Sequence, residues 1–195
     1  MAPRRKAVEA VLLAPGAGAS ADHHTLVAVE AALAPLPVRR MDFPYRKAGR
    51  KAPDRAPVLL DAVRAELAEL CEEVGTTSDR VVLGGRSMGG RMCSMVVADG
   101  TPAAGLALLS YPLHPPGKPE KLRTEHLPAL DVPCLFVSGD KDPFGTPAEL
   151  EAATAAIPGP VTHEWLRGGH APKPSLDADI CALVASFVGS IRRRR

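Results

Sequence analysis

The sequence predicts an α/β fold, a three-layer α/β/α sandwich around a mostly parallel sheet of about six strands. Three observations lead there. Apolar runs of about five residues recur along the chain, and most are followed by a segment with helical hydrophobic spacing. Strands that are apolar on both faces and separated by helices belong to a parallel sheet covered on both sides. No internal repeat and no compositional break divides the 195 residues. Residues 1–195 therefore read as one domain, with basic tails at 1–6 and 192–195.

The elements follow in order. Val8 to Ala14 is the first strand, stopped by Pro15-Gly16-Ala17-Gly18. Asp22 is placed to cap a helix running to about Leu33, with Leu26, Val29, Ala32 and Leu33 on one face. Val38 to Phe43 is the second strand, and Pro44 to Pro57 reads as a basic, proline-containing loop. Leu59, Val63, Leu67, Leu70 and Val74 recur at helical spacing and are closed by Gly75. Arg80 to Gly84 is the third strand, and Ser87 to about Asp99 is the helix behind it. Leu106 to Ser110, Cys134 to Ser138 and His163 to Leu166 complete the strands. A short helix is expected near Leu122 to Leu130, another from Ala148 to Ala156, and a last one from Leu176 to Ile191.

Composition narrows the function classes. Hydrophobic residues make up 46% and charged residues 24%, an ordinary globular balance. A net charge of +2 is too small to make nucleic acid the expected partner. Arg4-Arg5-Lys6 leads into a short strand containing Glu9, unlike a secretory leader. The longest stretch without Asp, Glu, Lys or Arg, from Gly100 to Gly117, is broken by prolines and cannot span a membrane. Cys71, Cys93, Cys134 and Cys181 form no C-x-x-C pair and fall in apolar patterns, as buried reduced thiols of a cytoplasmic protein do. The histidines lack metal-ligand spacing. Gly16-Ala17-Gly18 is no dinucleotide loop, because Ala21 stands where a third glycine belongs. No metal and no cofactor are expected. The expected partner is a small molecule, for a monomer or homodimer that binds neither nucleic acid nor membrane.

The chemistry centres on Gly84-Gly85-Arg86-Ser87-Met88-Gly89-Gly90-Arg91, which follows the apolar run Val81-Val82-Leu83. Gly-x-Ser-x-Gly between a strand and a helix is the pattern of a nucleophile elbow, a sharp turn that lifts a serine hydroxyl to the end of a sheet. A serine needs a base to take its proton and an acid to hold that base in the right tautomer. Asp140 and Asp142 follow the fifth strand, and His170 follows the sixth in Arg167-Gly168-Gly169-His170. Asp142 is the preferred acid, because it precedes Pro143 deeper in the loop; Asp140 competes with it. His170 is the preferred base over His163, which lies within or beside a strand. Two backbone N–H groups would complete an oxyanion hole, those of Met88 and of Ala17 in the Gly-rich loop after the first strand.

These motifs resemble a known group. Pro15 to Ala19, Gly84 to Gly89, Ser110-Tyr111-Pro112-Leu113-His114-Pro115, Lys121 to Leu127, Leu135 to Gly139 and Gly169-His170 are similar to the KANL/Tex-type α/β-hydrolase-like family. These are small cap-less α/β-hydrolases related to dienelactone hydrolases. The resemblance implies the α/β-hydrolase fold without a cap domain and a triad of Ser87, Asp142 and His170. It departs at Pro15, where the family more often has histidine. The expected activity is hydrolysis of a small ester, thioester or related acyl bond in a shallow, open site. Gly16, Arg86, Tyr111 and His114 are expected to touch the substrate, and Arg91 and the Arg46 to Lys51 loop to attract an anion. The alternative is a non-catalytic interaction or scaffold protein that keeps the fold.

Overall fold

In a computed structural model describing residues 7–193, strands β1 (Ala10–Ala14), β2 (Val38–Arg40), β3 (Val81–Arg86), β4 (Gly105–Leu109), β5 (Cys134–Gly139) and β6 (Val161–Leu166) form one sheet. All neighbouring strands run parallel, in the order β2-β1-β3-β4-β5-β6. Helices α1 (His24–Leu33) and α6 (Asp177–Arg193) cover one face. Helices α2 (Pro44–Lys47), α3 (Ala56–Val74), α4 (Met88–Ala98) and α5 (Pro147–Thr154) cover the other. No cap is evident among the described residues.

Side chains alternate across the pleat, so each strand feeds both cores. Leu12, Leu83, Leu108 and Phe136 join Val63, Leu67, Met92 and Val96 on one face. Val11, Leu13, Val82 and Val137 join Leu26, Val29, Ile180 and Val184 on the other. Burial of each such side chain contributes about 1.5–3 kcal/mol. Helix α6, taken with the turn before it as Pro174–Ile191, is apolar enough to resemble a membrane span by composition, with a mean hydropathy of 1.4. Its Ile180, Val184, Val188 and Ile191 are spent on the sheet, as in a core helix.

Several local expectations are corrected. Helix α1 is capped by His23, whose Nδ1 accepts from the Thr25 N–H at 3.3 Å, and not by Asp22. The Asp22 carboxylate is occupied by Arg40 Nη1 at 3.0 Å instead. Strand β2 ends at Arg40, although the Met41 N–H still donates to the Leu13 carbonyl at 3.0 Å. The segment read as a loop from Pro44 contains α2, with Pro44 at its first position where a missing N–H costs nothing. The helix expected near Leu122 to Leu130 shrinks to one tight turn, Leu127–Ala129, around Pro128. Cys71 is half-buried, unlike the other thiols. The basic tail expected at 1–6 lies outside the described residues, as do 194–195. Arg192 and Arg193 continue the backbone of α6.

Candidate active site

The carboxyl ends of β1, β3, β5 and β6 deliver the site, at the edge where parallel sheets bind ligands. Ser87 follows β3 directly and has φ 49° and ψ −119°. A non-glycine residue in that conformation stores about 1–3 kcal/mol of strain, which its surroundings must hold. They do so at close range. A Cβ on Gly85 or Gly89 would overlap the Ala14 carbonyl, so these positions require glycine for strand and helix to pass. The Ser87 N–H donates to the Leu109 carbonyl at 2.8 Å, which ties the turn to β4.

Ser87 Oγ lies 2.7 Å from His170 Nε2. On the far side of the ring, His170 Nδ1 lies 2.8 Å from Asp142 Oδ2 and 3.1 Å from Oδ1. Asp142 is 2% exposed, and its Oδ1 also accepts the Phe144 N–H at 2.8 Å. The Phe144 ring stacks on the imidazole, with centroids 4.0 Å apart and planes 27° apart. The two competing acids divide the work. Asp140 Oδ1 accepts from the Gly168 N–H at 2.8 Å and shapes the loop that carries His170. His163 stays under α5, with Nε2 2.9 Å from Thr154 Oγ1, away from Ser87.

The loop after β1 comes to the same place. Ala17 lines the cleft beside Ser87, Met88 and His170. The Tyr45 hydroxyl accepts the Gly18 N–H at 3.1 Å, so the unforeseen α2 pins this loop from below. Met88 opens α4, where the first amides have no intrahelical acceptor. Ala17 and Met88 therefore both line the cleft that holds Ser87.

The cleft has a volume of about 370 Å³, and its walls also include Arg86, Arg91, Pro112, Arg123 and Phe144. Gly16 is buried beneath it, against Arg86 and Ser87. Arg86 is half-buried and donates from Nη2 to the His170 carbonyl at 3.0 Å, so it fixes the histidine loop; burial lowers its pKa. Two expected substrate contacts are corrected. Tyr111 is 2% exposed, and its hydroxyl donates to the Arg123 carbonyl at 3.0 Å rather than facing the cleft. His114 is 5% exposed and sits between the Pro115 carbonyl, 2.9 Å from Nδ1, and Glu149, 3.5 Å from Nε2. The basic loop is also partly spoken for: Lys47 pairs with Glu66 and Arg50 with Asp54.

Phe144 and Arg123 are the residues whose place here was not foreseen. Phe144 had a signal, since it stands two residues after the acid in an Asx-type turn. Arg123 falls where a short helix was expected and none forms, so no periodicity marked its place.

A family model described as alpha/beta hydrolase domain matches residues 7–179. The chain belongs to that family. It is similar to the pimeloyl-[acyl-carrier protein] methyl ester esterase of Stenotrophomonas maltophilia (strain K279a), with 32% identity over 65 residues. That stretch is 33% of this chain and only 25% of the esterase. The type II thioesterase BorB from the borrelidin biosynthetic cluster superposes with a TM-score of 0.68 at 22% identity, covering 93% of each chain. A monoacylglycerol lipase of Paleococcus ferrophilus gives a TM-score of 0.72 at 13% identity, covering 95% of this chain and 96% of the lipase. Identities this low show a shared fold. The family match over residues 7–179 makes this chain an alpha/beta hydrolase-domain protein, and the neighbours share its fold.

Proposed function

We propose that the protein is a serine hydrolase that cleaves a small ester, thioester or related acyl bond through an acyl-enzyme. One observation carries this reading: the continuous hydrogen-bonded line from Ser87 Oγ through His170 to the buried Asp142. Asp142 holds the proton on Nδ1, which leaves the Nε2 lone pair for the Ser87 hydroxyl. Ser87 Oγ attacks the carbonyl as Nε2 takes its proton. The Ala17 and Met88 N–H groups face the oxyanion as it forms, where fixed donors are most effective. Collapse of the tetrahedral intermediate expels the alcohol or thiol, which receives the proton from Nε2. Water then repeats the sequence on the acyl-serine, with His170 again as base, and releases the acid.

The open cleft and the lack of a cap among the described residues favour short acyl groups over long lipids. The resemblance to KANL/Tex-type and dienelactone-hydrolase-like proteins fits this reading at a finer level. A fluorophosphonate probe tests it. Wild type is expected to be labelled on Ser87, and Ser87→Ala is expected to lose all label. A folded wild type that takes up no probe would overturn the assignment.

A further inference from the structure

Most arginines and lysines that pair in this molecule do so with carboxylates on the surface. Arg39 meets Glu66, Glu69 and Glu73; Arg40 meets Asp22 and Glu30; Arg64 meets Asp61 and Asp99; Arg80 meets Glu9. Several arginines lack such a pair, Arg86 at the histidine loop among them, and Arg91 and Arg123 are two that meet in one wall. Both line the cleft over Ser87, and neither has a carboxylate within 4.0 Å among the described residues. Arg91 Nε is buried without a hydrogen-bond partner. Burial lowers the pKa of Arg123, and the Arg91 charge lowers it further, so the two cations bear on each other.

Their placement is built. The Arg91 N–H donates to the Ser87 carbonyl at 3.1 Å, which sets Arg91 one helical turn from the nucleophilic position on the same face of α4. Arg123 is fixed from three sides. Its N–H donates to the Leu113 carbonyl at 2.9 Å, its Nη1 donates to the Pro112 carbonyl at 3.3 Å, and its carbonyl accepts the Tyr111 hydroxyl at 3.0 Å. Two like charges held together in a half-buried wall are costly without an anion between them. Among the described residues, no acidic side chain lines the cleft to supply it.

We propose that the substrate carries its own carboxylate, which seats between Arg91 and Arg123 while its ester or thioester carbonyl faces Ser87. This rests on the reading of Ser87 as nucleophile and adds a substrate class to it. The carboxylate belongs either to the acyl chain, as in a half-ester of a short dicarboxylic acid, or to the leaving alcohol. Guanidinium forks suit a carboxylate in particular, through paired N–H···O bonds.

Two matched substrate pairs distinguish the sources, with acid release followed by pH-stat. Ethyl hydrogen glutarate against ethyl valerate places the charge on the acyl side. 3-(Butyryloxy)propanoate against propyl butyrate places it on the alcohol. At least one charged ester is expected to exceed its neutral match in kcat/KM by about 10–100-fold, the scale of a charge-assisted pair. That preference is expected to fall with added salt. In Arg91→Gln and Arg123→Gln, the charged ester is expected to lose at least about tenfold more than the neutral one; Arg123→Lys is expected to keep part of the preference. Thermal melts check that the variants fold. Equal kcat/KM within both pairs, equal losses on charged and neutral esters, or no turnover of any ester by an enzyme that takes up fluorophosphonate would each overturn the proposal. Failure of wild type to take up fluorophosphonate would instead overturn the nucleophile itself.

Discussion

The cleft has two walls of opposite character. On one, Ser87, His170 and Asp142 hold each other at 2.7 and 2.8 Å, and Asp140, Arg86 and Phe144 brace the histidine loop. On the other, Arg91 and Arg123 present charge to the same space without a carboxylate of their own. The first wall is organised by its own hydrogen bonds, as a reacting geometry must be. The second is organised in position but left open in charge. In the proposed reading, that difference separates residues that carry out the chemistry from residues that choose what receives it.

Removing the nucleophile breaks the first wall outright. Ser87→Ala is expected to lower kcat by about 10⁶, the loss typical of a triad serine, without raising KM comparably. Asp142→Asn is expected to cost about 10⁴ in kcat, because an amide favours the wrong imidazole tautomer. Asp140→Asn keeps an acceptor oxygen for the Gly168 N–H and is expected to stay within about threefold of wild type. The reverse order, with Asp140→Asn inactive and Asp142→Asn unharmed, would move the acid to Asp140. Phe144→Ala removes the ring stacked on His170 and is expected to lower kcat by about 3–10-fold, the scale of one aromatic contact.

The first wall was more legible in the sequence than the second. Ser87, Asp142 and His170 each follow a strand that the apolar runs reveal, and parallel strands must end on a common edge. The glycines on both sides of Ser87 belong to the legible motif, and the Ala14 carbonyl is what they pass. Arg91 was also within reach, since one helical turn after Ser87 lies on the same face. Arg123 was not, because tertiary hydrogen bonds to Leu113 and Pro112 place it, and these have no sequence period. Tyr111 and His114 were misplaced for the same reason. Residues after a strand end reach the rim, yet their side chains turned inward to support Arg123 and to meet Glu149. Helix α2 was hidden by its proline and by its length of one turn.

The smallest expected effect lies behind the arginine wall. His126 is half-buried, with Nε2 2.8 Å from Ser94 Oγ, and its pKa is lowered from 6.5 to about 4 by burial first and then by the Arg91 charge. Arg91 thus acts on a neighbour in the folded state, as it would on an arriving carboxylate. The neutral ring is favoured in the fold, so the unfolded chain takes up this proton first as pH falls. The stability that His126 contributes is complete above about pH 6.5 and is lost as pH falls through about 4. His23 is lowered to about 4 as well, mainly by burial, and supplies a second share of the same slope. His163, also lowered by burial, adds to it, so urea denaturation between pH 7 and pH 4 is expected to show stability falling with acid in wild type and falling less steeply in His126→Gln. Arg91→Gln is expected to raise the His126 pKa toward 6.5, read from the ring-proton titration by NMR. An unmoved His126 in that variant would mean that burial alone sets its pKa, and that the Arg91 charge is spent elsewhere than on the groups facing it.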